Sequence, residues 1–335
     1  MESTVSGVPQ QQKKRPEGHY EGVAFLRFLP LGAQFVVCVL LVIFLQGAYT
    51  YAQELLFSVE KFPHRWYATV WQGGLYSLFA YTMRRSSGDR GRRGPFRDYV
   101  VLSSVVFMGR FMGVASLHYI DFTTRVLFQS SKLIPTMLVG LLYLKKSYTA
   151  GEYTAVFMLV TGLSLFSLGD ASVSTSFNVL GVVLAGGDAF SDALKSSIQE
   201  HLMSSHSAST LEVALYSNLS GCLCAIPILI FTGELAAVYE TFSLRAHIAL
   251  IAMYLIGYLA SLSVLYVLKL SDALISAMVT CFRKFMSIVF SFFIFSKVAT
   301  INHVVGGVLC FVGIAVQIWI KQRNRQARLF AKQKY

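Results

Sequence analysis

From residue 31 onward the chain alternates apolar runs of about 20 residues with short polar joints, the length a helix needs to cross a hydrocarbon layer. The runs fall at 31–57, 63–83, 98–118, 123–144, 150–169, 178–201, 210–232, 246–268, 272–296 and 299–320. They predict an all-α polytopic membrane protein with ten transmembrane helices. Residues 1–30 form a polar N-terminal tail, and residues 321–335 a basic C-terminal one. The first run is long enough to span rather than to act as a cleaved leader. Gln46, Thr50, Gln53 and Glu54 interrupt its second half. The joint 84–97, RRSSGDRGRRGPFR, is the long polar one, and its composition predicts a flexible linker.

The pattern also repeats. KLIPTMLVGLLYLK (132–145) runs parallel to KFMSIVFSFFIFSK (284–297), each an apolar run between lysines thirteen residues apart. A threonine (Thr149, Thr300) and a glycine (Gly162, Gly313) follow at nearly the same spacing. This divides the chain into two five-helix repeats, 31–169 and 170–320. Because five is odd, the halves must insert with opposite orientation. Inverted repeats of this kind build alternating-access carriers that hold their solute near the bilayer midplane.

Composition agrees: 55% of the 335 residues are hydrophobic and 14% charged, against roughly a quarter charged in soluble domains. The net charge of +12 would suggest nucleic acid in a soluble protein. Here it sorts by side. With the N-terminus inside, nineteen Lys and Arg lie on one face of the membrane and five on the other. That asymmetry places both termini in the cytosol and explains the basic tails without a nucleic-acid partner. Five cysteines, all inside apolar runs and without C-x-x-C spacing, predict neither a disulfide framework nor a zinc site. His201 and His206 are five apart, which does not put them on one helix face, so no metal is expected, and no cofactor. Nothing places a His beside an intramembrane Ser or carboxylate pair, so an enzyme is not expected.

Arg110, Lys132, Lys195, Arg283 and Lys284 fall inside apolar runs, with Asp188 and Asp192. A charge at bilayer depth costs at least about 2.5–3.5 kcal/mol, so it normally faces a cavity or a partner. The cations outnumber the carboxylates even when Glu54 is included, and an anion should complete the balance. Phosphate is the natural candidate. Lys132 and Lys284 match across the repeat and are read as substrate contacts, with pairing to Asp188, Asp192 or Glu54 as the alternative. Arg283 and Lys284 are adjacent, about 100° apart on a helix, so one of them is structural. Asp188, Asp192, Lys195 and Gln199, spaced i, i+4, i+7 and i+11, form one polar stripe that should face the cavity. Lys195 either serves the solute or pairs with Asp192. Arg110 is read as snorkelling or carbonyl-bound ahead of a substrate contact. Tyr49, Tyr51, Tyr216, Tyr258 and Tyr266 are candidates for stacking on a base.

These residues resemble a known family. SLHYIDFTTRVLFQSSKLIPTMLVGLL (116–142) is similar to the span-three to span-four segment of solute carrier family 35, subfamily B. FRKFMSIVFSFFIFSK (282–297) resembles its span nine, YTYAQELLF (49–57) its span-one ending, and SDALKSSIQE (191–200) its span-six segment. The resemblance implies a drug/metabolite-transporter fold and nucleotide-conjugate antiport in the Golgi, or alternatively the endoplasmic reticulum. It also implies that Lys132 and Lys284 help to bind phosphates. The terminal Lys332-Gln-Lys334-Tyr does not fit a dilysine retrieval signal, which favours the Golgi. The expected binding set is Gln129, Lys132, Asp192, Lys195 and Gln199 with Arg283, Lys284, Tyr51, Gln53 and Glu54. FNVLGVVL (177–184) and HSASTLEVALYS (206–217) look like the 3′-phosphoadenosine 5′-phosphosulfate (PAPS) branch. FTGEL (231–235) and RKF (283–285) look like the UDP-galactose/UDP-glucose branch. Phe282 before Arg283, and Lys195 at a position usually uncharged, depart from both. The extra lysine favours PAPS, the more highly charged solute. A non-transporting membrane regulator is the reading from another class, and a homodimer is one arrangement open to the chain.

Overall fold

The computed structural model describes residues 31–54, 56, 65–89, 91–116, 118–120, 128–129, 131–170, 178–240, 244–283 and 301–333. No strand occurs among the described residues. The helices are α1 (Leu31–Glu54), α2 (Arg65–Ser86), α3 (Phe96–Ser116), α4 (Leu133–Leu142), α5 (Ala150–Asp170), α6 (Val179–Ser205), α7 (Thr210–Phe231), α8 (Leu244–Leu270), α9 (Ala273–Arg283) and α10 (Ile301–Gln333). A two-turn helix, Glu234–Glu240, follows α7. Three stretches are long and apolar enough to cross a membrane: Ala33–Ala52 in α1, Thr210–Phe231 in α7 and Ala246–Leu270 in α8. The sequence of α6 is less apolar because Asp188, Asp192 and Lys195 lie in it, and that of α2 because of Gln72 and its Tyr and Trp residues.

Local signals start the helices. Asn178 accepts the Leu180 N–H at 2.9 Å ahead of α6, and Ser209 accepts the Glu212 N–H at 3.0 Å ahead of α7. Thr149 and Glu152 form the T-x-x-E start of α5, with the carboxylate accepting the Thr149 N–H at 2.7 Å. Two helices outrun the expected spans. The helix α6 continues to Ser205, and α10 continues to Gln333. Beyond Gly313 nothing in KQRNRQARLFAKQ breaks a helix, and Lys, Gln, Arg, Ala and Leu favour one.

The helices form two apolar clusters. One draws on α1, α2, α3, α6, α7 and α8, through residues such as Val42, Tyr76, Leu102, Leu202, Leu211 and Tyr258. The other draws on α4, α5, α9 and α10, through Leu133, Met137, Leu159, Met278 and Cys310. The most extensive pairings are α5 with α10, α2 with α7, α3 with α6 and α1 with α8. In the α5–α10 seam a Cβ on Gly162 would stand 2.7 Å from the Gly306 carbonyl, and one on Gly313 would stand 3.1 Å from that of Ala155. Small residues thus let two backbones approach, as membrane helices require. Gly151 meets Ile320, so the two helices run antiparallel.

The joint 84–97 is not the flexible linker its composition predicts. Arg84, Asp89 and Gly94 are buried. The fully buried Glu212 of α7 accepts the Arg93 N–H at 2.9 Å, the Gly94 N–H at 3.3 Å and the Tyr99 hydroxyl at 2.7 Å. Arg84 pairs with Asp89 at 3.2 Å and approaches Glu212 at 3.8 Å, while Ser209 donates to Asp89 at 2.7 Å. Gly, Ser and Arg read as solvated because the acid that collects them lies over a hundred residues downstream. Removing one partner of a buried ion pair costs about 3–5 kcal/mol, because the other charge stays buried. Glu212→Ala therefore lowers the thermal stability of detergent-purified protein by several degrees, whereas Glu152→Ala at the exposed α5 start changes it little. Equal shifts in the two variants would refute the role assigned to Glu212.

Candidate substrate site

A cavity of about 240 Å³ sits among six helices, three from each expected repeat. Gln46 and Tyr49 come from α1, Gln72 and Tyr76 from α2, and Gly109 and Arg110 from α3. Facing them are Asp188, Ser191, Asp192, Lys195 and Gln199 of α6, Ser217 and Asn218 of α7, and Gly257 and Ser261 of α8. All four members of the α6 polar stripe line it. The α3–α6 contact is close enough for this because a Cβ on Gly109 would stand 2.8 Å from the Ser191 Cβ.

Asp192 is the electrostatic centre. Its Oδ2 accepts from Lys132 Nζ and its Oδ1 from Lys195 Nζ, both at 2.8 Å. One carboxylate thus ties a lysine at the head of α4 to one a turn along α6. Lys195 pairs with Asp192 and also lines the cavity. Lys132 takes the paired alternative. Gln129 Nε2 lies 3.4 Å from Asp188 Oδ2. Opposite, Arg110 reaches Gln72 Oε1 at 3.4 Å, and Gln72 Nε2 donates to the Tyr49 hydroxyl at 3.1 Å. Among the described residues no carboxylate comes within ion-pair distance, 4.0 Å, of Arg110.

The other expected residues are distributed differently. Tyr51 points away from the cavity and is 70% exposed, whereas Tyr49, two residues earlier on α1, lines it. Tyr216 packs on Tyr99, and Tyr258 on Tyr76 and Phe79, as parts of the apolar cluster. Arg283 reaches the Thr50 hydroxyl at 3.5 Å, joining the end of α9 to α1. Lys284 lies outside the described residues, and so do the side chains of Gln53 and Glu54. Gln72, Tyr76, Asn218 and Arg110 join the site although the expected set omits them. The signal was present: two amides and a guanidinium in the middle of apolar runs need a polar environment.

Six helices around a charged cavity, with glycine seams between the halves, have the architecture of a membrane carrier. The chain belongs to the UAA transporter family, whose sequence profile matches residues 34–321; it is a transporter and not an enzyme. It is similar to the adenosine 3′-phospho 5′-phosphosulfate transporter 2 of Pongo abelii, 34% identical over 87% of this chain and 74% of that protein. The protein of the same name in Drosophila melanogaster is 32% identical over 87% and 78%. The UDP-galactose/UDP-glucose transporter 4 of Arabidopsis thaliana is 29% identical over 79% and 77%. A solved crystal structure of a protein superposes with a TM-score of 0.70 at 13% identity, covering 87% of this chain and 98% of the other, a likeness of fold.

The two lysines on Asp192 differ in exposure, 14% for the Lys132 side chain and 36% for that of Lys195. A double-mutant cycle on thermal stability should give a coupling of about 1–3 kcal/mol for Lys132–Asp192. The more solvated Lys195–Asp192 pair should give under about 1 kcal/mol. The reverse order would mean that Lys195 is the partner holding Asp192.

Proposed function

We propose that the protein is a ten-span antiporter of the drug/metabolite-transporter type that imports PAPS from the cytosol into the Golgi lumen, in exchange for a nucleoside monophosphate-type product. Several supports converge on the architecture. Exchanging each helix with the one five places along maps the α2–α7 and α5–α10 pairings onto themselves and the α1–α8 pairing onto α3–α6. The cavity draws on α1, α2 and α3 and on their counterparts α6, α7 and α8. The antiparallel α5–α10 seam puts the matched glycines Gly162 and Gly313 at equivalent contacts, as a two-fold axis in the membrane plane requires. With this arrangement and the lysine and arginine asymmetry, both termini face the cytosol. An epitope appended after Tyr335 should be removed by protease from sealed, right-side-out Golgi vesicles. Protection until the vesicles are permeabilised would overturn this orientation.

The substrate class rests on one observation above all: among the described residues no carboxylate pairs with Arg110, which lines the cavity, while Lys132 and Lys195 share Asp192. Counting Asp188 and Asp192 against Arg110, Lys195 and the adjoining Lys132, the described charges in and beside the cavity leave a surplus of one cation, which a phosphorylated solute offsets. Arg110 and Lys195, which line the cavity, and Lys132 beside them on Asp192 would meet the phosphate and sulfate groups, with one of Arg283 and Lys284 completing the set. Tyr49 and Tyr76 offer ring faces and hydroxyls to the base and ribose. Among sulfated and glycosylated conjugates, the relatives named for PAPS favour the former, and the plant relative named for UDP-galactose and UDP-glucose keeps a UDP-sugar as the second reading.

Uptake of labelled PAPS into proteoliposomes preloaded with AMP tests the proposal, with UDP-galactose as the comparison; faster exchange of UDP-galactose would reverse the assignment. A charge-assisted hydrogen bond is worth about 1.5–3 kcal/mol, so Arg110→Gln should weaken PAPS competition by roughly tenfold or more. Arg110→Lys should recover part of it. Lys195→Ala should weaken PAPS more than UDP-galactose; uniform small losses, restored by neutralising Asp192 as well, would remove Lys195 from the substrate contacts.

A further inference from the structure

Away from the cavity, where α3 begins and α6 ends, Asp98, His201 and His206 bring one ligand atom each to within 4.8 Å of one another. The spacing of the two histidines gives no hint of this, since five residues along an ideal helix turn about 140° too far. What changes the geometry is that α6 stops. His206 is its C-cap, with φ −102° and ψ 0°, and Ser207 takes a left-handed φ of 54°. Leaving the helical path brings the two imidazole centroids to 5.5 Å, edge to face. Asp98, in the first turn of α3, then lies with its Oδ2 3.6 Å from His206 Nε2.

We infer that Asp98, His201 and His206 bind a divalent transition-metal ion with the ligand preferences of Zn²⁺. Two imidazoles and a carboxylate are a donor set that zinc takes, with a fourth position left for water. Zinc sits about 2.0–2.1 Å from such ligands, which puts ligand atoms roughly 3.4 Å apart in a tetrahedron. The His206–Asp98 pair is already near that separation. Bringing the third atom in from within 4.8 Å takes a shift of up to about 1.4 Å, and His206, 34% exposed at a helix end, has room to turn. The outer contacts suit the role as well. The Ser205 hydroxyl lies 3.3 Å from His201 Nδ1, which leaves Nε2 of that ring as the ligand atom. The last carbonyls of α6 add a negative potential favourable to a cation. The ring of Tyr143 packs edge-on against His201 with centroids 5.8 Å apart and covers one side. A bound ion would join the start of α3 to the end of α6. The site shares no residue with the cavity, so the inference does not depend on the substrate.

Isothermal titration of detergent-purified, chelator-treated full chain with ZnCl₂ tests it, with a thermal-melt series in parallel. The expected result is one saturable site per chain and a melting temperature that rises with Zn²⁺ and falls back with EDTA. His201→Ala, His206→Ala and Asp98→Asn should each weaken binding at least about tenfold, and Ser205→Ala should weaken it less. His247→Ala, which alters a histidine packed between Tyr67 and Trp71, should leave zinc affinity unchanged. Because the melts are recorded with and without metal, a variant that is merely less stable is recognised by a lower baseline with an undiminished zinc-dependent rise. Absence of saturable binding to the unsubstituted protein overturns the inference. So does binding that survives both histidine substitutions.

Discussion

Asp192 accepts from two lysines at once, and much of the molecule is arranged around that sharing. Charge inside a bilayer is tolerated when a partner or a cavity meets it. Among the described residues Asp188 and Asp192 stand against Arg110, Lys132 and Lys195, so pairing leaves one cation over. The polar helix α6 is accordingly central, with its stripe turned to the cavity and α3 packed alongside it at Asp188 and Ser191. The helices rich in uninterrupted apolar sequence, α1, α7 and α8, complete the wall. The resulting cavity is polar and lined by charges of both signs, while the clusters on either side are apolar.

The ends of the helices solve the same problem in the opposite way. Glu212 receives two backbone N–H groups, a tyrosine hydroxyl and a nearby guanidinium. Glu200 accepts from Lys146 at 2.5 Å and from the Ala273 N–H at 2.8 Å, so that one acid joins the joint after α4 to the start of α9. Glu212 Oε1 and both oxygens of Glu200 are met by donors from distant parts of the chain. Asp192, beside the cavity, is instead shared between two cations. That contrast separates charges that hold the fold from charges that await a solute, and it needs no knowledge of the solute.

The sequence predicted the helices from run length, and the stripe on α6 from an i, i+4, i+7, i+11 spacing, because both signals are local. What it missed was set by distant partners. Composition made the joint 84–97 a linker, since nothing nearby shows that Glu212 will collect its amides. The sequence puts Tyr51 in the expected binding set and leaves Tyr49 out of it, whereas the rotation of α1 against α2 and α8 puts Tyr49 inward. Arg110 was read as snorkelling, as an isolated arginine on an apolar helix reads. Its place in the cavity depends on Gly109, which lets α3 approach α6. His201 and His206 were judged by helical spacing, and the helix ends between them.

The cationic cavity also bears on the mode of transport. Closing an empty carrier would confine Arg110, Lys132 and Lys195 with only Asp188 and Asp192 facing them among the described residues, in a space from which water is largely removed. The attraction between charges strengthens as the surroundings lose polarity, but so does the penalty for leaving a charge unmatched. An anionic nucleotide relieves that penalty and an empty site does not. Reorientation is therefore favoured when either the entering conjugate or the departing nucleoside phosphate is bound, and disfavoured between them. The proposed exchange, rather than one-way passage, accords with the surplus of Lys132, Lys195 and Arg110 over Asp188 and Asp192 among the described residues. Restoring neutrality with a new carboxylate near Arg110 would ease the return of the empty carrier and weaken the dependence on preloaded AMP.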